Sequence, residues 1–199
     1  NDALFLLFER GKSMQQAVPV GKGSMIAVLG SKINELNNFI KEIEINGVCE
    51  IANDNADGQT IISGDIKSIK KLKDILKKNK KKFIPLNVSA PFHCSLMNSA
   101  AEVMRDKINS VNFKKPKFDI ICNVTSKPEN NPENIKKLLI EQIYSTVRWR
   151  ESIINMSNDK VSRFIEIGPG KVLSGMAKRT VKDINCFSVN TIDDIKKIT

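Results

Sequence analysis

Between residues 24 and 88 the hydrophobic period switches repeatedly between that of a strand and that of a helix, and this order constrains the fold more than any other feature of the chain. SMIAVLG (24–30) is a strand-like run ending in glycine. Ser31 is placed to cap a helix carrying Ile33, Leu36, Ile40 and Ile43 at helical spacing. GVCEIAN (47–53) reads as a strand, DNADG (54–58) as turn chemistry and QTIISG (59–64) as a second strand. Asp65 can cap a helix with Ile66, Ile69, Leu72, Ile75 and Leu76 on one side and lysines on the other. KKFIPLNV (81–88) is a last strand. The order β-α-β-β-α-β, with a hairpin at its centre, is that of the ferredoxin-like arrangement.

The flanking residues follow another rule. At the start, Leu4, Leu7 and Phe8 share a helical face with Gly11 and Met14, until Pro19, Gly21 and Gly23 break the pattern. A chain that begins inside a helix, without methionine, is expected to be a piece of something longer. Beyond residue 88 a helix is expected from about Ser95 to Ser110. FDIICNV (118–124) then reads as a strand of the buried, parallel-sheet kind. NPENIKKLLIEQIYS (131–145) is helical, with Pro132 in its first turn, and Trp149 to Met156 suggests a short helix. SRFIEIGPGKVLSGMAKRT (162–180) is strand, glycine turn and helix, and NCFSVN (185–190) is a final strand. Alternating strands and helices imply an α/β sheet into which the ferredoxin-like unit is inserted.

Composition narrows the function. No run approaches the roughly 18–20 apolar residues of a membrane span. The 32 Lys and Arg against 22 Asp and Glu leave a net charge of +10, much of it in KSIKKLKDILKKNKKKF (67–83). That stretch suits a solvated helix face or an acidic protein partner. It has no aromatic residue before Phe83, so the base-stacking half of a nucleic-acid surface is missing. The four cysteines, Cys49, Cys94, Cys122 and Cys186, form no C-x-x-C pair, and with one histidine in the chain they read as free thiols rather than a zinc site.

Three short motifs carry possible chemistry. GKS (11–13) lacks the earlier glycine of a phosphate loop, since position 6 is Leu6. GPGKVLSG (168–175) follows a strand and opens a helix, which suits either an anion or a tight packing turn. SAPFHCSLM (89–97) holds His93, the single histidine. A general base needs a nucleophile within reach and a group that fixes its tautomer. The G-x-S-x-G elbow of serine hydrolases is absent from these residues, so residue chemistry alone leaves either an ordinary histidine or a base without a partner.

Taken together, ERGKSMQQAVP, ANDNADGQTIISG, SAPFHCSLM, EQIYSTVRW and FIEIGPGKVLSGM resemble, in order and spacing, the malonyl-CoA:acyl carrier protein transacylase family. The resemblance covers essentially the whole chain. It implies a partial α/β hydrolase-like acyltransferase domain, residues 1–18 and 88–199, with the ferredoxin-like βαββαβ subdomain, residues 19–87, inserted in it. It further implies that the nucleophilic serine, in a GHSLG-type elbow, lies upstream of these residues, as does a glycine/glutamine loop of the oxyanion hole. The chain is thus expected to be the C-terminal two-thirds of the enzyme.

Carried over by position, the resemblance makes His93 the base that serves the serine, and gives Gln142 a backbone carbonyl that orients it. It makes Arg10 the grip on the free carboxylate of malonate, and Met14 a lining residue of the acyl pocket. Asn53 and Asn55 become polar residues near the site, and Phe92 a bulky ring that excludes a 2-methyl branch. The implied reaction moves malonyl from malonyl-CoA to the phosphopantetheine thiol of acyl carrier protein through an acyl-serine. It calls for no metal or redox cofactor, no nucleic acid and no membrane, and implies a cytoplasmic monomer. The alternatives are a basic ferredoxin-like module that binds an acidic partner without catalysis, and an inactive fragment.

Overall fold

In a computed structural model, residues 1–43, 47–196 and 198 are described. Strands β1 (Gly23–Leu29), β2 (Cys49–Ala56), β3 (Gln59–Asp65) and β4 (Lys82–Pro85) form one antiparallel sheet in the order β2-β3-β1-β4. This is the ferredoxin-like order that the β-α-β-β-α-β pattern predicts. Helices α2 (Ile33–Glu42) and α3 (Ile66–Lys78) cover one face. There Ile26, Val28, Leu36, Phe39, Ile62, Leu72 and Leu76 make a continuous core. The alternate residues Met25, Ala27, Ala52 and Ile61 form a second, smaller core on the opposite face, against which Phe92 packs. The central strand is therefore buried on both sides, which is why 24–30 reads as an unbroken apolar run.

Asp65 caps α3 as its position predicts, its carboxylate accepting from the N–H groups of Lys67 and Ser68 at 3.0 Å. Two expectations shift. The cap of α2 is Lys32, one residue past Ser31, and makes no side-chain hydrogen bond. Strand β2 runs on to Ala56, into the stretch that reads as turn, because Asp54 and Ala56 are buried where helices at Trp149–Asn158 and Val172–Thr180 pack on the strand. The reversal is confined to Asp57 and Gly58, the latter at φ +69°.

The rest of the chain packs beside this sheet. Helix α1 (Asp2–Gln16) lies on α4 (Asn98–Asn109), which in turn meets α5 (Pro132–Glu141). Their core holds Met14, Val18, Met97, Ala100, Met104, Ile140 and Ile143. The expected apolar face of α1 is not the packed one: Leu4, Leu7 and Phe8 are 65–72% exposed. The packed stripe runs through Leu6 and Arg10, both half-buried, to the buried Ser13 and Met14, so it contains an arginine.

The buried strand expected at 118–124 is also corrected. Only β5 (Ile120–Ile121) is extended, in an antiparallel hairpin with β6 (Pro128–Glu129), and Phe118 is 82% exposed. The cause is a local turn: Ser126 takes a left-handed φ of 55° and its N–H bonds back to Cys122, so the chain folds on itself. The parallel pairing lies further on, between β7 (Arg163–Ile167) and β8 (Asn185–Val189), joined by α7 (Val172–Thr180). Helix α6 (Trp149–Asn158) precedes this unit and α8 (Ile192–Lys196) follows it. Among the described residues no helix is long and apolar enough to cross a membrane.

Candidate active site

The site is assembled where the second face of the small sheet meets the helical part. After β4 the chain passes through Ala90 and Pro91, both buried, and Phe92 before reaching His93. His93 has φ +57°, a left-handed conformation that a residue with a Cβ adopts only when its surroundings hold it there. Those surroundings are specific. The Cys94 thiol donates to the Pro91 carbonyl at 3.1 Å and accepts from the Ser63 hydroxyl at 3.6 Å. Ser95, which opens a single 3-10 turn (Ser95–Met97) ahead of α4, donates its N–H at 3.0 Å and its hydroxyl at 2.5 Å to the carboxylate of Glu50.

The His93 ring meets the end of α5, with Nδ1 3.0 Å from the backbone oxygen of Gln142. The helical pattern expected to reach residue 145 stops at Glu141, and the carbonyl of Gln142 falls among those at a helix C-terminus that have no partner within the helix. A carbonyl only accepts, so the neutral ring carries its proton on Nδ1 and leaves the Nε2 lone pair free for base chemistry. Burial holds the imidazole below its ordinary value of 6.5; the backbone of Gln142 pulls it back up, the charge of Arg10 pushes it down, and Ser145 adds a smaller upward pull. Burial thus favours the neutral ring, and the Gln142 carbonyl fixes its tautomer.

Arg10 stands on the packed stripe of α1, half-buried, and burial lowers its pKa. Among the described residues no carboxylate pairs with it. It shares with Gln142 the wall of a cleft of about 620 Å³ whose other walls include Leu6, Leu7, Met104 and Phe113. An unpaired guanidinium in such a setting is poised for an anion that arrives from outside the chain.

The remaining expected site residues fall at different depths. Phe92 packs between both cores beside His93. Asn53 and Asn55 are half-buried on β2, alternating with the buried Ala52, Asp54 and Ala56, and Asn53 bridges in parallel to Val147 just after Gln142. Met14 is 4% exposed, within the α1–α4 core rather than on an open cleft wall. The GPGK turn is filled from within. The Glu166 carboxylate accepts from the N–H groups of Leu173 at 3.1 Å and Ser174 at 2.8 Å, occupying the α7 N-terminus where an anion would sit. The thiols are equally closed to chemistry near the base, burial pushing Cys49 up to about 12 and raising Cys94.

Sequence reading passed over the residues that brace the site. Glu50, Ser63 and Ser95 touch the His93 segment, and Thr146, Val147 and Arg150 tie the Gln142 segment to β2. These pairs are separated by 31 to 96 residues, and no periodic signal links such partners.

A small sheet holds a strained histidine against a helix end, and a half-buried arginine lies on a cleft wall beside that end. Residues 1–198 match the family model described as "Acyl transferase domain", and the chain belongs to that family. Within it, the chain is 38% identical over 192 residues to the malonyl CoA-acyl carrier protein transacylase of Haemophilus influenzae, covering 96% of this chain and 62% of that protein. The structure of an acyl-carrier-protein S-malonyltransferase from Bartonella henselae superposes with a TM-score of 0.95 at 40% identity, over 99% of this chain and 63% of that one. A malonyl-transacylase solved in complex with a type II PKS acyl-carrier protein matches at a TM-score of 0.93 and 34% identity, over 98% of this chain and 63% of that one. The chain thus spans about 62% of the length of the curated relatives it matches.

Proposed function

We propose that these residues form the larger part of an S-malonyltransferase, which moves malonyl from malonyl-CoA to the phosphopantetheine thiol of acyl carrier protein. The observation that carries this reading is Arg10: a half-buried guanidinium without a carboxylate partner among the described residues, sharing a cleft wall with the residue that orients His93. A guanidinium binds a carboxylate bidentately, and malonyl differs from acetyl by a free carboxylate.

His93 Nε2 would accept the proton of a nucleophilic serine lying outside these 199 residues as the serine oxygen attacks the thioester carbonyl. The imidazolium then protonates the departing CoA sulfur. In the second half the neutral imidazole takes the proton of the phosphopantetheine thiol, whose sulfur attacks the acyl-serine, and returns it to the serine oxygen. The Gln142 carbonyl stabilises the imidazolium in both halves through Nδ1–H. Phe92, packed beside the base, would narrow the space next to the α-carbon of the acyl group. Every proton moves between protein and thiol or hydroxyl, so the reaction calls for no metal or redox group. The lysines along α3 suit an acidic carrier protein, and the enzyme would work as a cytoplasmic monomer with its four free thiols reduced.

The test is intact-mass spectrometry of the whole protein after mixing with malonyl-CoA. One added malonyl group, abolished in His93→Gln and strongly reduced in Arg10→Ala, is expected. No adduct, or an adduct indifferent to both substitutions, overturns the reading.

A further inference from the structure

Strand β2 anchors both arms of the site at once. Glu50 holds Ser95, two residues beyond His93, through both carboxylate oxygens. Four residues along the same strand, the Asp54 N–H donates to the Val147 carbonyl at 2.9 Å, while the Val147 N–H donates to the Ala52 carbonyl at 2.8 Å and the Thr146 hydroxyl to the Ile51 carbonyl at 2.5 Å. The segment held this way begins four residues after Gln142. The 3.0 Å contact between the ring and the Gln142 carbonyl is therefore flanked by two tethers on one strand, which is itself paired to β3.

We propose that Glu50 is a positioning residue for His93, fixing the left-handed backbone of the histidine through Ser95. Three observations converge. The backbone at His93 (φ +57°) is one that a Cβ-bearing residue leaves unless it is held. The following residue, Cys94, is extended at φ −142° and ψ 172° and gives the 3-10 turn no side-chain cap. Glu50 supplies that cap from a different element, and among the described residues it is the one charged side chain bonded to residues 91–95. Releasing Ser95 lets the His93 backbone relax toward an ordinary conformation, which carries the ring away from Gln142 and frees Nδ1 to exchange tautomers. Glu50 touches no reacting atom in this account; it acts through Ser95 and His93. The proposal rests on His93 being the base of the reaction above, but its main readout needs no turnover.

That readout is the ring-nitrogen NMR spectrum of the whole protein at pH 8, with the His93 signals identified by their loss in His93→Gln. The wild type is expected to show a single neutral tautomer protonated on Nδ1. Glu50→Ala and Ser95→Ala are expected to show a mixture, and Glu50→Gln, which keeps the size and one acceptor, an intermediate state. Asp65→Ala removes a cap elsewhere on the same sheet; it lowers the melting temperature but leaves the His93 signals in place. In turnover, Glu50→Ala should lower kcat by about 10- to 100-fold with KM for malonyl-CoA unchanged. Wild-type tautomers in Ser95→Ala and Glu50→Gln overturn the positioning role, whether or not Glu50→Ala folds. Mixed tautomers in the variants, beside a wild-type protein that holds one tautomer but transfers no malonyl, leave the positioning role standing and remove the transferase reading instead.

Discussion

Burial lowers the pKa of His93, and the charge of Arg10 lowers it further. If Arg10 grips the malonyl carboxylate as proposed, exchanging it for alanine would remove charged hydrogen bonds worth about 3 kcal/mol, and kcat/KM for malonyl-CoA should fall roughly 100-fold. Transfer of acetyl, which offers no carboxylate, should hold steady or improve. Arg10→Lys should recover little, because an ammonium cannot form the paired bonds. Phe92→Ser should shift the ratio of malonyl to methylmalonyl turnover about tenfold toward the branched substrate, a change readable by competition between the two CoA esters. His93 also leaves a mark on stability. Its folded-state pKa lies below the ordinary 6.5 because of burial, so the unfolded chain binds the proton first as the pH falls. Stability is therefore unaffected above about 6.5, drops as the pH moves below it, and levels off once the folded-state value is passed. Denaturant unfolding between pH 8 and 5 should show this slope in the wild type, and His93→Gln should remove it.

At the scale of elements, the strands and helices do two kinds of work. Asp65 shows the local kind, legible in sequence: a carboxylate before an amphipathic run caps that run, and the structure places it so. Gly23 shows the other kind. A Cβ built there would lie 2.3 Å from Cγ of Pro91, two residues before His93. The proline ring cannot yield as a flexible side chain does, so Gly23→Ala should displace the histidine loop. We expect a loss of malonyl transfer larger than the loss of melting temperature, with Gly11→Ala as the comparison, since its Cβ meets no atom within 4 Å and an alanine inside α1 should raise the melting temperature slightly. Nothing in the residues around Gly23 signals this contact, because glycine next to a strand has many causes. The end of α5 differs from the expected one for a related reason: apolar spacing continues to Ile143 and Tyr144, but the backbone from Gln142 to Ser145 turns out of the helix and the Gln142 carbonyl meets His93.

Across the whole molecule, the two parts are joined through β2. Asp54, 3% exposed, accepts two bonds from Arg150 Nε at 2.9 Å and one from its guanidinium terminus at 2.8 Å. Asp54 is buried and Arg150 partly exposed, so Asp54→Asn, which leaves a guanidinium that water still reaches, should cost about 2 kcal/mol in denaturant unfolding. Replacing both partners with apolar residues should cost less than the single change, a difference that a double-mutant cycle resolves. Elsewhere the surface of this chain carries apolar groups in the open, with Phe118 82% and Ile167 84% exposed beside Leu4, Leu7 and Phe8. An apolar pattern tells that a residue seeks cover, and not what covers it. This is why FDIICNV read as buried while its strand is an exposed hairpin here.

Local periodicity, the capping chemistry and the order of elements between residues 24 and 88 determined the ferredoxin-like sheet, because each rests on neighbours in sequence. The five motif blocks pointed to His93, Arg10 and Gln142 as one constellation. Only the tertiary structure decided that Met14 packs in the core, that the Arg10 stripe is the buried side of α1, and that Glu166 fills the glycine turn. It alone brought Glu50 to Ser95 and Thr146 to Ile51. Such contacts join residues tens of positions apart through single hydrogen bonds, and a single polar pair leaves no period for a sequence to display.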